Sequence, residues 1–155
     1  MKLLSLELRN FKGIAEFKLS CPAGQSVNIY GDNATGKTTI FDSLTWLLFG
    51  KNSEDKQDFG IKTIVDGKEM HKIEHSVEAM FEHDGKTFSL KKIYKEKWKK
   101  VKGHLDETFG GNTVQHFIGN GEDEPTPVPA KKYEAYIASI IDEQTFKLLT
   151  NPLYF

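Results

Sequence analysis

Residues 31–38 contain the feature that most restricts what this chain can fold into. They read Gly-Asp-Asn-Ala-Thr-Gly-Lys-Thr and match the pattern G-x-x-x-x-G-K-[ST] at every fixed position. An apolar segment at 27–30 precedes the motif, and an amphipathic segment that starts at Lys37 follows it. Phosphate-binding loops require this order of strand, glycine-rich loop and helix. A glycine-rich turn that contained these residues by chance would not need the flanking strand and helix.

The chemistry of phosphate binding explains the residue types in the motif. Gly31 and Gly36 let backbone N–H groups converge on phosphate oxygens without steric conflict from Cβ atoms. Lys37 brings a positive charge to the β- and γ-phosphates, and the hydroxyl group of Thr38 is a suitable ligand for Mg²⁺. The helix that follows adds the positive end of its dipole.

Hydrophobic periodicity predicts the structure around the motif. Apolar and polar residues alternate near Leu6, which predicts a half-buried strand, and residues 14–19 predict a second strand antiparallel to it. The apolar stripe that begins at Lys37 predicts a helix, and Gly50 is placed to end it.

The middle of the chain is predicted to be rich in β-structure. Asp84-Gly85 separates two alternating segments at 77–83 and 86–94, which is a strong hairpin pattern. Residues 103–129 contain five glycines and three prolines, so we expect a loop there around one short strand at 113–118.

Residues 137–143, Ile-Ala-Ser-Ile-Ile-Asp-Glu, allow two interpretations. The helical stripe that starts at Tyr133 predicts a helix, followed by a second short helix at 143–149 with Asp142 as its N-cap. Alternatively, an apolar strand that ends in Asp-Glu would complete a self-sufficient small P-loop NTPase or kinase. Asp142 would then hold Mg²⁺ and Glu143 would polarise the attacking water. A strand at 137–141 parallel to 27–30 would favour this alternative.

Two other patterns are interpreted as structural. His71 and His75 match H-x-x-E-H, but the segment alternates as a strand, in which residues four apart are about 13 Å from each other. They are therefore too far apart to share a zinc ion. Residues 109–112, Phe-Gly-Gly-Asn, are similar to an ABC signature motif, but a turn and a strand are predicted there instead of the helix that the signature opens.

Charge and composition restrict the class of protein. The chain has 21 basic and 22 acidic residues, which excludes a wholly basic nucleic-acid coat protein. It has one cysteine and no apolar run of membrane-spanning length, so we expect a cytoplasmic protein without membrane contact. Seven lysines lie in Lys91–Lys102. They are interpreted either as contacts to DNA phosphates or as a solvated strand that resists aggregation.

The N-terminal segments together resemble the SMC/SbcC/RecF group of ABC ATPases. Residues 6–13, Leu-Glu-Leu-Arg-Asn-Phe-Lys-Gly, resemble the strand end that precedes the phosphate loop in that group. Asn33 and Thr39 match family positions that the general loop pattern leaves open. Phe-Asp-Ser-Leu at 41–44 resembles the start of the family's first helix. The hairpin at 77–88 resembles that of an SbcC-type DNA-repair ATPase head, and residues 133–155 resemble the end of its N-terminal half.

This resemblance implies an α/β fold, the N-terminal half-head of an ABC/SMC-type P-loop NTPase. The half-head would be one nucleotide-binding unit over 1–155, with a P-loop lobe at 1–50, an antiparallel β-rich lobe at 61–118 and a helical end at 130–150. It implies that the chain is a fragment, with a coiled coil after residue 155. The implied partners are the C-terminal half-head of the same parent chain, a second ATPase head, a nuclease subunit and DNA.

The resemblance also implies which residues form the site. ATP and Mg²⁺ would be bound, with Thr38 as the metal ligand. Lys12 stands where the family often has an arginine that reaches the γ-phosphate. The nucleotide-binding residues would be Lys12, Gly31, Asp32, Asn33, Ala34, Thr35, Gly36, Lys37, Thr38 and Thr39. The parent protein would be an ATPase, and this chain alone would bind ATP without turning it over. An interaction module with a vestigial loop is a third possibility.

Overall fold

The structure is a computed structural model that describes residues 1–21, 37–57, 60–62, 64–103 and 105–150. The strands are β1 (Lys2–Phe11), β2 (Ile14–Ser20), β3 (Ile64–Val65), β4 (Lys68–Glu69), β5 (His75–His83), β6 (Lys86–Lys100), β7 (Glu107–Asn120) and β8 (Thr126–Val128), and the helices are α1 (Lys37–Phe49), α2 (Ala130–Ala138) and α3 (Glu143–Thr150). Within these residues, no helix is long and apolar enough to cross a membrane.

Six of the described strands form one antiparallel sheet in the order β2-β1-β5-β6-β7-β8, and β3 pairs with β4 alone. Because β1 lies between β2 and β5, the predicted lobes at 1–50 and 61–118 share this sheet. Alternation places the apolar residues of the central strands on one face, against α1 and α2. The buried strand residues of this core are Leu6, Leu8, Phe11, Val77, Ala79, Phe81, Phe88 and Leu90.

Among the described residues, three hairpins have two-residue turns with glycine in second position. Asp66-Gly67 and Asp84-Gly85 have left-handed φ values of 51° and 75°, and of 51° and 74°. Lys12-Gly13 joins β1 to β2 with φ values of 46° and 91°. Two positive φ values are typical of the type I′ turn, whose twist matches that of the flanking strands. The predicted antiparallel pairing of the strand at 14–19 with the first strand and the predicted hairpin at Asp84-Gly85 are confirmed.

Helix α1 has the predicted limits. It begins at Lys37 and ends before Gly50, whose φ is 72° and whose N–H donates to the carbonyl of Trp46 at 2.9 Å. The apolar side chains of α1 are distributed around the helix instead of forming one stripe. Leu47 has no exposed surface. A helix of this kind needs cover on every side.

Two buried side chains donate hydrogen bonds to the C-terminal end of α1. The Lys92 Nζ of β6 donates to the carbonyl of Trp46 at 2.7 Å, and the Tyr133 hydroxyl of α2 donates to that of Leu47 at 2.6 Å. Lys92 and Tyr133 are only 5% and 1% exposed. The bond from Tyr133 gives a partner to a carbonyl of the last helical turn, and the bond from Lys92 adds a second donor to the carbonyl that also accepts the N–H of Gly50. They fix α1 to both the sheet and α2.

The prediction of a loop over most of residues 103–129 is wrong. Strand β7 has 14 residues and pairs along β6 as far as Lys100. The glycines at 110 and 111 that suggested a loop form a bulge of β7, because both lie between the pairs Glu96–Asn112 and Trp98–Phe109, opposite one residue of β6. Pro127 is in β8, at the edge of the sheet, where a missing N–H is tolerated. Pairing between strands therefore outweighs the local preference of the glycines.

We predict that Lys92→Met removes a specific pH dependence of stability. Burial lowers the pKa of Lys92 to about 7, although the charge of Glu134 opposes this shift. Between that value and the ordinary 10.5, the unfolded chain binds more protons at this site than the folded chain does. The free energy of unfolding of the unmutated chain should therefore rise with pH in this interval, relative to the variant, by at most about 1.4 kcal/mol per pH unit. Urea unfolding of both proteins between pH 6 and 10 measures this, and parallel pH profiles would contradict it.

Candidate functional site

The first turn of α1 contains the end of the glycine-rich motif. The helix begins at Lys37, as the motif requires, and Thr38 is exposed while Thr39 is half-buried. The strand expected at 27–30 and the loop residues Gly31, Asp32, Asn33, Ala34, Thr35 and Gly36 lie outside the described residues. The described part of the site therefore consists of the start of α1 and the side chains that approach it.

Lys12 approaches this helix from the β1–β2 turn. Its Nζ is 2.6 Å from Oδ2 of Asp42, and Asp42 is only 2% exposed. The other carboxylate oxygen of Asp42 accepts the backbone N–H of Ser53 at 2.8 Å. Burial alone would raise the pKa of Asp42, but the hydrogen bonds from Lys12 and Ser53 outweigh burial and lower the pKa below its usual value. The carboxylate therefore stays ionised at neutral pH and holds the ammonium group.

The position of Asp42 places Lys12 near the predicted metal ligand. Asp42 follows Thr38 by four residues, so the two side chains lie on one face of α1 about 6 Å apart at their Cβ atoms. An ammonium group, a hydroxyl group and the N-terminal end of a helix are thus brought together. This donor set fits a phosphate group and Mg²⁺, since each member favours negative charge or supplies an oxygen ligand.

The strand that the self-sufficient enzyme requires is absent from residues 137–143, all of which the structure describes. Residues 137 and 138 end α2, and Oδ2 of Asp142 accepts the N–H of Thr145 at 3.1 Å, as the N-cap interpretation predicts. Glu143 Oε1 lies 2.9 Å from the Nζ of Lys51 and 2.9 Å from that of Lys147. The interpretation of Asp142 and Glu143 as a catalytic pair at a strand end is therefore wrong.

The two histidines of the H-x-x-E-H pattern have separate partners. His75 is buried at the start of β5 and its Nδ1 donates to the backbone carbonyl of Asn10. Nδ1 of His71 is 2.7 Å from Oε1 of Glu96. No group of histidine, cysteine or acidic residues that could hold a metal occurs in the described part of the chain. The predicted strand begins only at His75, so His71 lies outside β5.

Glu96 is the centre of a polar cluster that sequence reasoning missed. Its side chain is 1% exposed and accepts from Lys62 Nζ at 2.6 Å, Trp98 Nε1 at 2.7 Å and the Lys72 N–H at 3.2 Å, besides contacting His71. Burial alone would raise its pKa, but these donors lower the pKa to about 2. The cluster holds Lys62, His71 and Lys72 against β6. The one signal in the sequence was that Glu96 and Trp98 are two residues apart and so share a strand face.

The seven lysines of Lys91–Lys102 do not form one surface. Lys92 is buried under α1, so it is not available to DNA, and Lys91 lies 5.9 Å from the centre of the Phe117 ring. Lys97 and Lys99 are exposed and Lys95 is half-buried. Beyond Tyr94, where pairing with β5 ends, β6 pairs with β7 alone. We call residues 95–103 and 105–113 the distal arm.

An open groove of about 740 Å³ lies at the opposite end of α1 from the motif. Its walls include Trp46, Tyr94, His116 and Ile137. Burial and the charge of Lys92 lower the pKa of His116. Because the 13 residues of α1 span about 20 Å, this groove is not part of the site at Thr38.

We predict that Glu96→Gln lowers stability at neutral pH but loses this effect in acid. A folded-state pKa of about 2, against an ordinary 4.5, means that the stabilisation is complete above pH 4.5 and disappears as the pH falls to 2. The free energy of unfolding of the Glu96→Gln variant should be lower than that of the unmutated chain by at most about 3 kcal/mol at pH 7. Urea unfolding from pH 7 to 2 measures it. Glu54→Gln, which breaks an ion pair with Lys56 whose side chains are 67% and 63% exposed, is the control and should change little. If Glu96→Gln lowered the free energy of unfolding by the same amount at every pH, the lowered pKa of Glu96 would be contradicted.

Comparison with known proteins identifies the family. Residues 5–146 match the family model described as AAA domain, which covers most of the chain, including the motif, α1 and all of the sheet except the start of β1. No curated protein matches the sequence. The chain therefore belongs to the AAA domain family of P-loop ATPases.

Proposed function

We propose that the chain is the N-terminal part of an SbcC/SMC-like ATPase head that binds ATP with Mg²⁺ and acts in DNA repair or recombination. Family membership over residues 5–146 supports nucleotide binding. The observation that carries the proposal is the start of α1 at Lys37, with Thr38 exposed one turn from the Lys12–Asp42 ion pair. This arrangement is what a Walker A loop needs at its C-terminal end.

Each residue of the proposed site either stabilises the negative charge of the phosphates or positions the nucleotide. Lys37 neutralises the β- and γ-phosphates, the loop N–H groups from Asn33 to Gly36 bind phosphate oxygens, and Thr38 and Thr39 lie where the helix N-terminus meets the nucleotide. The Thr38 hydroxyl would hold Mg²⁺ bound with ATP, and the ion would supply positive charge that offsets the charge of the phosphates. Catalysis in the parent protein then consists of positioning and electrostatic stabilisation.

The surroundings of α1 favour a larger assembly. Ile40 and Leu44 of this apolar helix remain partly exposed although Trp46 and Leu47 are buried against the sheet. A second layer on α1 would bury them, and the C-terminal half-head of the same parent chain is the proposed source. Since Asp142 and Glu143 are held by Thr145 and by lysines, the proposed hydrolysis needs residues from that half and from a second head. A nuclease subunit is a further proposed partner.

The distal arm is the proposed contact with DNA. Glu96 and Trp98 share the face that contacts Lys62 and Lys72, so alternation places Lys95, Lys97 and Lys99 on the opposite face. Three lysines on one face of a projecting two-stranded arm give a local positive field in a chain of net charge −1. Such a surface binds phosphates without reading base sequence.

We predict that Lys37→Ala lowers the affinity for ATP at least about tenfold while the fold is retained. The variant loses a charge-assisted bond to the phosphates, which contributes about 1.5–3 kcal/mol. Titration with a fluorescent ATP analogue measures affinity, and circular dichroism checks the fold. Lys56→Ala, an exposed lysine outside the site, is the control and should bind like the unmutated chain. Equal affinity of the Lys37 variant would disprove the phosphate-loop assignment and favour an interaction module with a vestigial loop.

We predict that changing Lys95, Lys97 and Lys99 together to Glu weakens DNA binding and its salt dependence. Each lost phosphate contact reduces the slope of log affinity against log salt by about 0.9, so three contacts reduce it by about 2.7. A salt series on duplex DNA of unrelated sequences measures this slope. Changing the exposed Lys86, Lys131 and Lys132 to Glu alters the net charge equally and is the control. Identical slopes for the two triple variants would leave the distal arm as a solvated surface.

A further inference from the structure

We propose that the open groove between β6, β7, α2 and the C-terminal end of α1 binds a small aromatic carboxylate, whose charged group contacts Lys92 and His116. The groove has a volume of about 740 Å³. Volumes of about 300–1,000 Å³ are typical of sites for small organic molecules. This inference is independent of the proposed function, because the groove and Thr38 lie at opposite ends of α1.

Two basic side chains lie next to each other on the floor of the groove. Lys92 of β6 and His116 of β7 are directly opposite in the register of the two strands, and both line the groove. Side chains in such a pair have Cβ atoms about 4.5–5.5 Å apart. A carboxylate has two acceptor oxygens, so one can accept from Lys92 Nζ and the other from a ring N–H of His116.

Neither Lys92 nor His116 forms an ion pair with a carboxylate in the part of the chain that the structure describes. Lys92 Nζ donates to the carbonyl of Trp46, and an ammonium group has three N–H donors. Burial lowers the pKa of Lys92 to about 7, and burial together with the charge of Lys92 lowers the pKa of His116. Positive charge is therefore unfavourable at both positions, and an anion bound between them would offset this cost.

Aromatic rings form the walls beside this basic pair. The rings of Trp46 and Tyr133 have their centres 5.4 and 5.2 Å from Lys92 Nζ. Tyr94 follows Lys92 by two residues along β6 and lines the same groove. A flat ring packs favourably against such walls, edge-to-face or in an offset stack. A small inorganic anion would leave these apolar walls uncovered, so the arrangement favours an aromatic carboxylate.

The acidic residues that line the groove do not neutralise its floor. Glu134 and Asp142 are exposed, so water and salt screen their charges, and Glu143 already forms ion pairs with two lysines. The charge of Glu134 opposes the pKa shifts of the basic pair without cancelling them. Lys92 is only 5% exposed, and charges interact more strongly in surroundings of low dielectric constant. The floor of the groove therefore attracts a negative group.

The experiment compares naphthoate with naphthamide, which has the same rings without the charge, by calorimetric titration of the unmutated chain. At pH 6 Lys92 is mostly charged, because its pKa is about 7. We expect naphthoate to bind at least about tenfold more tightly than naphthamide, because only the carboxylate forms charge-assisted hydrogen bonds with Lys92. Equal affinities, or no binding of either compound, would overturn the inference.

Variants locate the contact. We expect Lys92→Met to lose at least about tenfold of the affinity for naphthoate while its affinity for naphthamide changes less than about twofold. Lys86→Met removes the same charge from an exposed position at the start of the same strand and is the control, which should bind both compounds like the unmutated chain. If Lys92→Met does not fold, His116→Phe, which keeps a ring but removes the N–H donor, should lose about fivefold of the preference for naphthoate. An unchanged preference in folded variants would overturn the proposed contacts.

The pH dependence of binding tests the same contact without a substitution. The affinity of the unmutated chain for naphthoate should fall by up to about tenfold per pH unit between pH 7 and 9, because the charged fraction of Lys92 falls. The pKa of His116 is lowered and that of Tyr133 is raised, so neither group titrates in this interval. Side chains of α1 in the groove are apolar, and the titratable or charged groups that face Lys92 from the other elements are Glu134 and Tyr133 of α2, His116 of β7, and Lys51, Asp142 and Glu143. An affinity for naphthoate that is constant from pH 7 to 9 would overturn the contact with Lys92.

These measurements also separate the inference from the proposed function. A chain that binds naphthoate but not ATP would retain the groove as a binding site and disprove the phosphate-loop assignment. A chain that binds ATP but shows no preference for naphthoate would overturn this inference alone.

Discussion

The C-terminal end of α1 is the point on which the rest of the structure depends. Trp46 and Leu47, in its last turn, are buried between the sheet and α2. The Lys92 Nζ and the Tyr133 hydroxyl donate to the carbonyl groups of these two residues, and the rings of Trp46 and Tyr133 lie 5.4 and 5.2 Å from the lysine nitrogen. Three elements that are distant in the chain are thereby joined at one helix end. The direction of α1, and with it the position of Thr38 at the other end, follows from this joint.

The two ends of α1 are complementary in charge. The helix dipole is negative at its C-terminal end, where Lys92 lies, and positive at its N-terminal end, where the proposed site would bind phosphate. Lys12 and Asp42 add a neutral pair near the N-terminal end, so the ammonium group does not repel the rest of the site. The same helix thus serves as a buried support for the sheet and as an electrostatic element of the proposed nucleotide site.

Glu96 performs a comparable structural role in the distal arm. Strands β3 and β4 pair with each other and not with the large sheet. The carboxylate gathers Lys62, Trp98 and the backbone of Lys72 around itself, and Lys72 lies 4.9 Å from the centre of the Trp98 ring. This cluster orients one face of the arm inward. Lys95, Lys97 and Lys99 alternate with Glu96 and Trp98 and therefore lie on the outer face of the arm. Lys92, by contrast, contacts α1.

The sequence alone determined the parts of this protein that depend on neighbouring residues. The glycine-rich motif, the limits of α1 at Lys37 and Gly50, the turn at Asp84-Gly85 and the cap at Asp142 were all predicted, because each is set by local backbone preferences. The tertiary structure alone decided the length of β7, the burial of Lys92 and the partners of Glu96. These depend on contacts across many residues, 46 between Trp46 and Lys92 and 34 between Lys62 and Glu96. A lysine in a run of lysines has the same local pattern whether it faces water or a helix end, and only the packing of distant elements distinguishes the two.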